Sequence, residues 1–293
     1  MQQLMITGTV RRVMVVVLDG LRPDAITTFN LQNVLRLARN GAATFDARTV
    51  SPSVTAAAMG SLLTGADPAR HGVQSDRFHI PRGSGPIHPV AHELKRHGLP
   101  SSGFMGHVPW LMRGLAHRMV SKLGFQTARF RGAGALEILA TARPQIRDQR
   151  TGFILMHWPD ADIAGHEHGW MSRQYGEAAV AMDTALGLLM RIVRLDDPAT
   201  LLIVLADHGG GGRTLRGHDS DHDLDRTIPL IFAGGGVRPA SLGAGLRLVD
   251  VPATVLGALG VPVPGSYAGR SLVTPRVAAP ATTAAPVGTL AVA

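Results

Sequence analysis

Val13-Met14-Val15-Val16-Val17-Leu18 is an apolar run rich in β-branched residues, and Asp19-Gly20 follows it directly. The run is too short to cross a membrane, which takes about 20 apolar residues. No small-residue cleavage site follows it, as a secretory signal would require. It reads as a buried strand. A strand that is apolar at every position, instead of at alternate ones, belongs to a parallel sheet covered on both faces. Phe153–His157, Leu201–Ala206 and Ile228–Phe232 repeat the pattern, with a weaker version near Gly103–Met105. Helical patterns lie between these runs: Leu31–Arg39 closed by Asn40-Gly41, Val90–His97 closed by Gly98, and a long one from about Ser172 to Leu195. In the last, Ser172 is a suitable N-cap and Ala178, Met182, Ala185 and Leu189 recur at helical spacing. Asp250 is read as the cap of a final helix ending at Gly260. Strands alternating with helices predict an α/β fold, a three-layer α/β/α sandwich around a mostly parallel sheet. One domain is expected over residues 10–273, followed by a flexible Ala/Pro/Thr-rich tail over 274–293.

Composition narrows the chemistry. With 45% hydrophobic and 17% charged residues in 293, the chain can bury a sizeable core, and disorder of the whole is excluded. The absence of cysteine removes disulfide scaffolds, thiolate zinc sites and cysteine nucleophiles. The formal charge is +8. Residues 111–150 hold Arg113, Arg118, Lys122, Arg129, Arg131, Arg143, Arg147 and Arg150 against only Glu137 and Asp148. Such a stretch attracts anions at long range. No nucleic-acid-binding motif accompanies it and aromatics are only 4%, so no specific nucleic-acid partner is expected. With neither signal peptide nor membrane span in view, a cytoplasmic location is expected. Oligomeric state is not legible.

In open α/β sheets, chemistry gathers beyond the carboxyl ends of the strands. Asp19 follows the first strand run, Asp160 and Asp162 follow Phe153–His157, and Asp207-His208 follows Leu201–Ala206. Carboxylate and imidazole together suit Zn²⁺. Asp162 and His166 stand at i, i+4, which brings both to one ion if that turn is helical. His218 lies eleven residues before Pro229. Pro52 and Ser53 favour a helix starting near Thr55, whose hydroxyl would then lie among free N–H groups at a positive helix end, a place that favours phosphate. Taken alone, Thr55 is simply an N-terminal helix residue.

The ordered set Leu18-Asp19-Gly20, Thr55 with Thr64-Gly65, Pro68-Ala69-Arg70-His71-Gly72, Asp162-x-x-Gly-His166, Ala-Asp207-His208-Gly and His218 ahead of Ile228-Pro229-Leu230 resembles the alkaline phosphatase superfamily. The likeness is greatest to the type I phosphodiesterase and nucleotide pyrophosphatase branch, in a short form spanning about residues 13–273. The resemblance implies that Asp19, Thr55, Asp207 and His208 hold one divalent ion and that Asp162, His166 and His218 hold a second. Zn²⁺ is the expected metal, with Mn²⁺ an alternative. It implies further that Thr55 attacks phosphorus and forms a phospho-threonine that water then hydrolyses. The implied substrate is a small anionic phosphate ester. Phosphomonoesterase or phosphotransferase activity at the same site, or a catalytically silent metal-binding homologue, are the alternatives.

The chain departs from the branch in one place. Nucleotide diesterases usually carry Asn three residues after the nucleophile, where this chain has Ala58. Sulfatases require Cys or Ser at the nucleophile and Arg four residues later; Thr55 and Met59 rule that chemistry out. The mutases' large inserted domains are missing. His71 is expected to brace the site, His168 to face solvent or support a ligand, and His222 to yield the last ligand position to His218.

Overall fold

The computed structural model describes residues 4, 6, 8–77, 82–108 and 110–273, so the expected tail over 274–293 lies outside the described residues. The first half runs β1 (Arg12–Leu18), α1 (Pro23–Thr28), α2 (Gln32–Asn40), β2 (Ala42–Arg48), α3 (Thr55–Thr64), α4 (Pro68–His71), α5 (Val90–Arg96), β3 (Ser101–Met105), α6 (Trp110–Lys122) and β4 (Thr127–Phe130). The second half runs α7 (Ala135–Asp148), β5 (Gly152–Trp158), α8 (Asp160–His168), α9 (Arg173–Ile192), β6 (Thr200–Leu205), α10 (Asp223–Arg226), β7 (Thr227–Gly234), β8 (Ala240–Ser241) and α11 (Asp250–Ala258).

The strands form one eight-stranded sheet in the order β4-β3-β5-β1-β6-β7-β2-β8. Only β7 runs against the rest, antiparallel to both β6 and β2. Helices α2, α7, α8 and α9 pack together as one layer, and α3, α4, α5 and α11 as another. The α/β/α sandwich with a mostly parallel sheet is therefore the observed architecture. Every residue of β1, β5 and β6 is buried, as their almost wholly apolar sequences require. Among the described residues, no helix is long and apolar enough to cross a membrane.

Several elements differ from the sequence expectation. The run read as Ile228–Phe232 is the antiparallel strand. β2 and β4 were not anticipated: Asp46, Arg48 and Arg129 interrupt their apolar patterns, and β4 sits at the sheet edge. α7 carries Pro144 in its interior, a residue that argues against a helix. Ser172 does cap α9, its Oγ accepting the Tyr175 N–H at 3.2 Å. Asp250 is not the N-cap of α11. It is the first helical residue, and its carboxylate accepts the N–H groups of Arg247 (2.8 Å) and Arg270 (3.0 Å) instead.

The α2 N-terminus has no cap from its own N-cap residue, Leu31. Buried Asp183 reaches across from α9 and accepts the N–H groups of Asn33 (2.9 Å) and Val34 (2.8 Å) and the Asn33 side-chain amide (2.9 Å). Asp183→Ala would leave the two main-chain donors unpaired, while the Asn33 amide keeps the Asp183 carbonyl. It is expected to cost about 2–4 kcal/mol, measured by denaturant unfolding, without changing the site's ion content.

Candidate active site

The site follows from the sheet order. β1 lies between β5 and β6, with Leu18 level with Trp158 and Val17 level with Leu205. Their carboxyl ends thus deliver Asp19, the start of α8 and Asp207-His208 to one place. Gly20 makes the convergence possible. Its φ is +69°, and an added Cβ would lie 2.9 Å from the Asp162 Cα. The Asp162 N–H donates to Asp19 O at 3.1 Å, and the Gly20 N–H to Asp207 Oδ1 at 3.3 Å. Behind the turn, Tyr175 OH (2.9 Å) and Trp170 Nε1 (3.0 Å) both donate to Gly20 O.

His208 Nε2 is the centre of the first group. It lies 3.0 Å from Thr55 Oγ1, 3.2 Å from Asp19 Oδ1 and 3.6 Å from Asp207 Oδ2. Both carboxylate oxygens are buried and have no hydrogen-bond partner among the described residues. Thr55 opens α3, as the sequence predicts. The second group is a triangle of Asp162 Oδ1, His166 Nε2 and His218 Nε2, with sides of 3.1, 3.4 and 3.5 Å. Asp162 and His166 share one face of α8, so the turn is helical as the pairing requires. The groups adjoin: His208 Nε2 is 4.0 Å from Asp162 Oδ1, and the rings of His208 and His218 stack 3.8 Å apart. All seven expected residues are therefore in one cluster, with His166 its exposed member.

The three imidazoles are oriented alike. Nδ1 faces a main-chain carbonyl in each: Gly209 O for His208 (2.8 Å), Ser53 O for His218 (2.7 Å) and Arg216 O for His166 (2.9 Å). A carbonyl only accepts, so each Nδ1 carries a proton, and each Nε2 is the ring nitrogen turned inward, free to offer a lone pair to a cation. Two such lone pairs 3.1 Å apart, at His166 and His218, repel unless a cation lies between them. A shared proton would join the rings but would leave buried Asp162 Oδ1 without a partner, as it is among the hydrogen bonds formed. A tetrahedral Zn²⁺ with ligands at about 2.0–2.1 Å has ligand–ligand edges of about 3.3 Å. The triangle fits that size. The Asp/His donor set and the orphaned carboxylate oxygens fit divalent metal at both groups.

Protonation follows the crowding. Burial, and next the Asp19 charge, push the carboxyls of Asp162 and Asp207 above the usual carboxylate range. Burial acts the same way on Asp19, but His157 and His208 outweigh it and hold that group ionised. For His208, burial is outweighed by Asp207, Asp19 and Asp162, which raise the imidazole. His218 is lowered to about 4 by burial and then by His208. Protons shared among clustered acids and imidazoles are what a divalent cation displaces on binding.

The model of the type I phosphodiesterase / nucleotide pyrophosphatase family matches residues 13–213. The chain belongs to that family. The match includes Asp19, Thr55, Asp162, His166, Asp207 and His208 and ends before His218. A 2,3-bisphosphoglycerate-independent phosphoglycerate mutase of Thermomicrobium roseum is 30% identical over 145 residues, 47% of this chain and 27% of that protein. The chain thus spans about a quarter of the length of the curated relatives it matches. A structure of an alkaline phosphatase superfamily protein from Vibrio parahaemolyticus aligns with TM-score 0.68 at 16% identity, over 94% of this chain and 72% of that one. Murine ectonucleotide pyrophosphatase/phosphodiesterase 5, solved as an inactive form in complex with AMP, aligns with TM-score 0.64 at 14% identity, over 87% and 96%. The family match and the aligned structures together give the chain a type I phosphodiesterase / nucleotide pyrophosphatase family membership and an alkaline phosphatase-like fold.

Within this phosphodiesterase-family site, other polar residues take supporting places. Asp160, also at a strand end, accepts the Ala135 N–H at 2.9 Å and so serves the start of α7. His71 bonds Ser61 Oγ at 3.0 Å and accepts the Val73 N–H at 3.1 Å, bracing α3 from behind. His168 is exposed beside Glu167. His222 caps α10, its Nδ1 accepting the Leu224 N–H at 3.1 Å. Arg113 bonds Val108 O and His107, and His107 shares with His157 the lining of an open cavity of about 410 Å³ beside the site.

Two contributors escaped the sequence reading. His157, the last residue of an apparently structural run, places Nε2 3.1 Å from Asp19 Oδ2 and 4.0 Å from Asp207 Oδ2. It pairs with Val17 across the β1–β5 ladder. That pairing, once known, is the signal that would have found it. Ser53 holds His218 twice, its carbonyl accepting from Nδ1 and its hydroxyl donating to His218 O. Main-chain contacts of this kind leave no sequence signature.

Proposed function

We propose that residues 10–273 act as one catalytic domain, a two-metal phosphodiesterase with Thr55 as nucleophile. The observation that carries this reading is the inward convergence of three Nε2 lone pairs with three carboxylates and the Thr55 hydroxyl. Asp19, Thr55, Asp207 and His208 would hold one ion, and Asp162, His166 and His218 the other. Two bound divalent ions supply Lewis acidity, lowering the pKa of the nucleophile and offsetting charge on the phosphoryl and leaving oxygens.

The chain's own residues do the rest. Thr55 Oγ1, fixed at the first turn of α3, gives up its hydroxyl proton to solvent and forms a bond to phosphorus as the bond from phosphorus to the leaving alcohol oxygen breaks. The alcohol departs with a proton from solvent. Water then attacks the phospho-threonine, the Oγ1–P bond breaks, and the hydroxyl is restored. Ala57 and Ala58 pack into the core behind the nucleophile. Ala56 and Met59, the half-buried residues of that turn, offer no cation to a dianionic monoester, and the methyl of Ala56 takes little space beside the nucleophile.

The test is ion content. The purified protein is expected to bind two divalent ions per chain, with Zn²⁺ preferred and Mn²⁺ a substitute, by calorimetry and elemental analysis. Affinity should rise with pH, because the raised carboxyls of Asp162 and Asp207 must lose protons as the ions enter. Strong chelation should abolish turnover of an aryl phosphodiester, and added metal should restore it. Activity indifferent to chelators in a protein free of metal refutes the proposal. Assay with an added alcohol as acceptor separates hydrolysis from phosphotransfer, the activity suggested by the mutase relatives.

A further inference from the structure

The α3 N-terminus carries an unexpected occupant. The first N–H groups of a helix have no partner within it. In α3 the Ala58 N–H is bonded back to Val54 O, and Val54 provides no side-chain cap. The Ala56 N–H donates instead to Asp76 Oδ1 at 2.7 Å. Asp76 is exposed and lies twenty residues along the chain, on the segment that leaves α4. That segment is tied to α3 by His71, which bonds Ser61 and the Val73 N–H. A carboxylate therefore sits on the main-chain donor next to the nucleophile, at a helix end suited to phosphate.

We propose that Asp76 is a specificity-determining residue, a tethered anion that selects singly charged phosphodiesters over doubly charged monoesters. The inference rests on the assignment of Thr55 as nucleophile. A phosphoryl group in reach of Thr55 Oγ1 has its non-bridging oxygens beside the Ala56 N–H, so the substrate takes over the donor that Asp76 holds. The displaced carboxylate stays nearby on its anchored segment. Its repulsion scales with substrate charge, and a monoester dianion meets about twice the penalty of a diester. No cation lies among Ala56, Ala57, Ala58 and Met59 to offset it.

Asp76→Asn is the informative change, since it keeps an Oδ1 acceptor for Ala56 and removes only the charge. With the metal-loaded enzyme, kcat/KM is measured for an aryl monoester and the matched diester, together with the inhibition constant of inorganic phosphate. Asp76→Asn is expected to raise monoester kcat/KM about three- to tenfold, with the diester changing less than about twofold. The inhibition constant of phosphate should fall in parallel, and both effects should shrink at high salt. A purely structural cap predicts another result: no change in Asp76→Asn, and an equal loss on both esters in Asp76→Ala. That result, or an unchanged ratio and phosphate inhibition in both variants, overturns the role of Asp76. A metal-loaded wild type that turns over neither ester and binds no phosphate overturns the catalytic assignment, and this inference with it.

Discussion

Thr55→Ala is expected to lower turnover of an aryl phosphodiester by about a thousandfold or more, with little change in melting temperature. Thr55 is half-buried at the first position of α3, and its hydroxyl is bonded to His208 Nε2. Alanine suits a helix, so the fold should tolerate the change. What disappears is the oxygen proposed to bond to phosphorus. Asp19, Asp207 and His208 remain to hold an ion, so metal content should fall far less than activity. Thr55→Ser keeps the hydroxyl and should keep part of the rate. A folded, metal-loaded Thr55→Ala protein of near-normal activity would remove the covalent route.

The second large effect concerns His218. Its ring is buried, stacked on His208, anchored at Nδ1 by Ser53 O and aimed at His166 and Asp162. His218→Ala is expected to lose one of two ions and about a hundredfold or more in turnover. His222→Ala removes a helix cap and should cost about 1 kcal/mol of stability, with turnover within a few-fold of wild type. Because His218→Ala also empties a buried position, ion stoichiometry is measured beside thermal unfolding, and His218→Gln repeats the test at nearly conserved volume. The opposite ranking of the two histidines would shift the last ligand by four residues.

The parts legible in the sequence share a cause. β1, β5 and β6 are buried on both faces, so almost every residue in them is apolar and the strands announce themselves. The residues at their ends were legible because Asp and His interrupt apolar runs sharply. β2 was hidden by Asp46 and Arg48, which a strand near the sheet edge tolerates, and α7 by Pro144. Asp250 looked like a cap because an acid at a helix start usually is one. Its carboxylate bonds instead to the Arg247 N–H in the turn before the helix and to the Arg270 N–H, which tertiary structure brings near. His157 and Asp76 were missed for the complementary reason. Each acts on a residue distant in sequence, and only strand pairing or a returning loop brings it there.

The carbonyl anchors of the three imidazoles bear on how this protein can drift. Each Nδ1–H is received by main chain, at Ser53, Gly209 and Arg216, and every residue type carries that acceptor. Ring orientation is thus insulated from side-chain replacement at Arg216 in a way that a carboxylate anchor would not be. What the anchors cannot survive is a change in chain path. Point substitutions across the exposed residues 213–216 should be tolerated wherever they leave the backbone course intact, whereas a one-residue insertion or deletion there would turn His166 out of alignment. Lineages sharing this site should therefore vary the exposed residues at 213–216, keep the crowded glycines at 209–212 and hold the loop's length fixed.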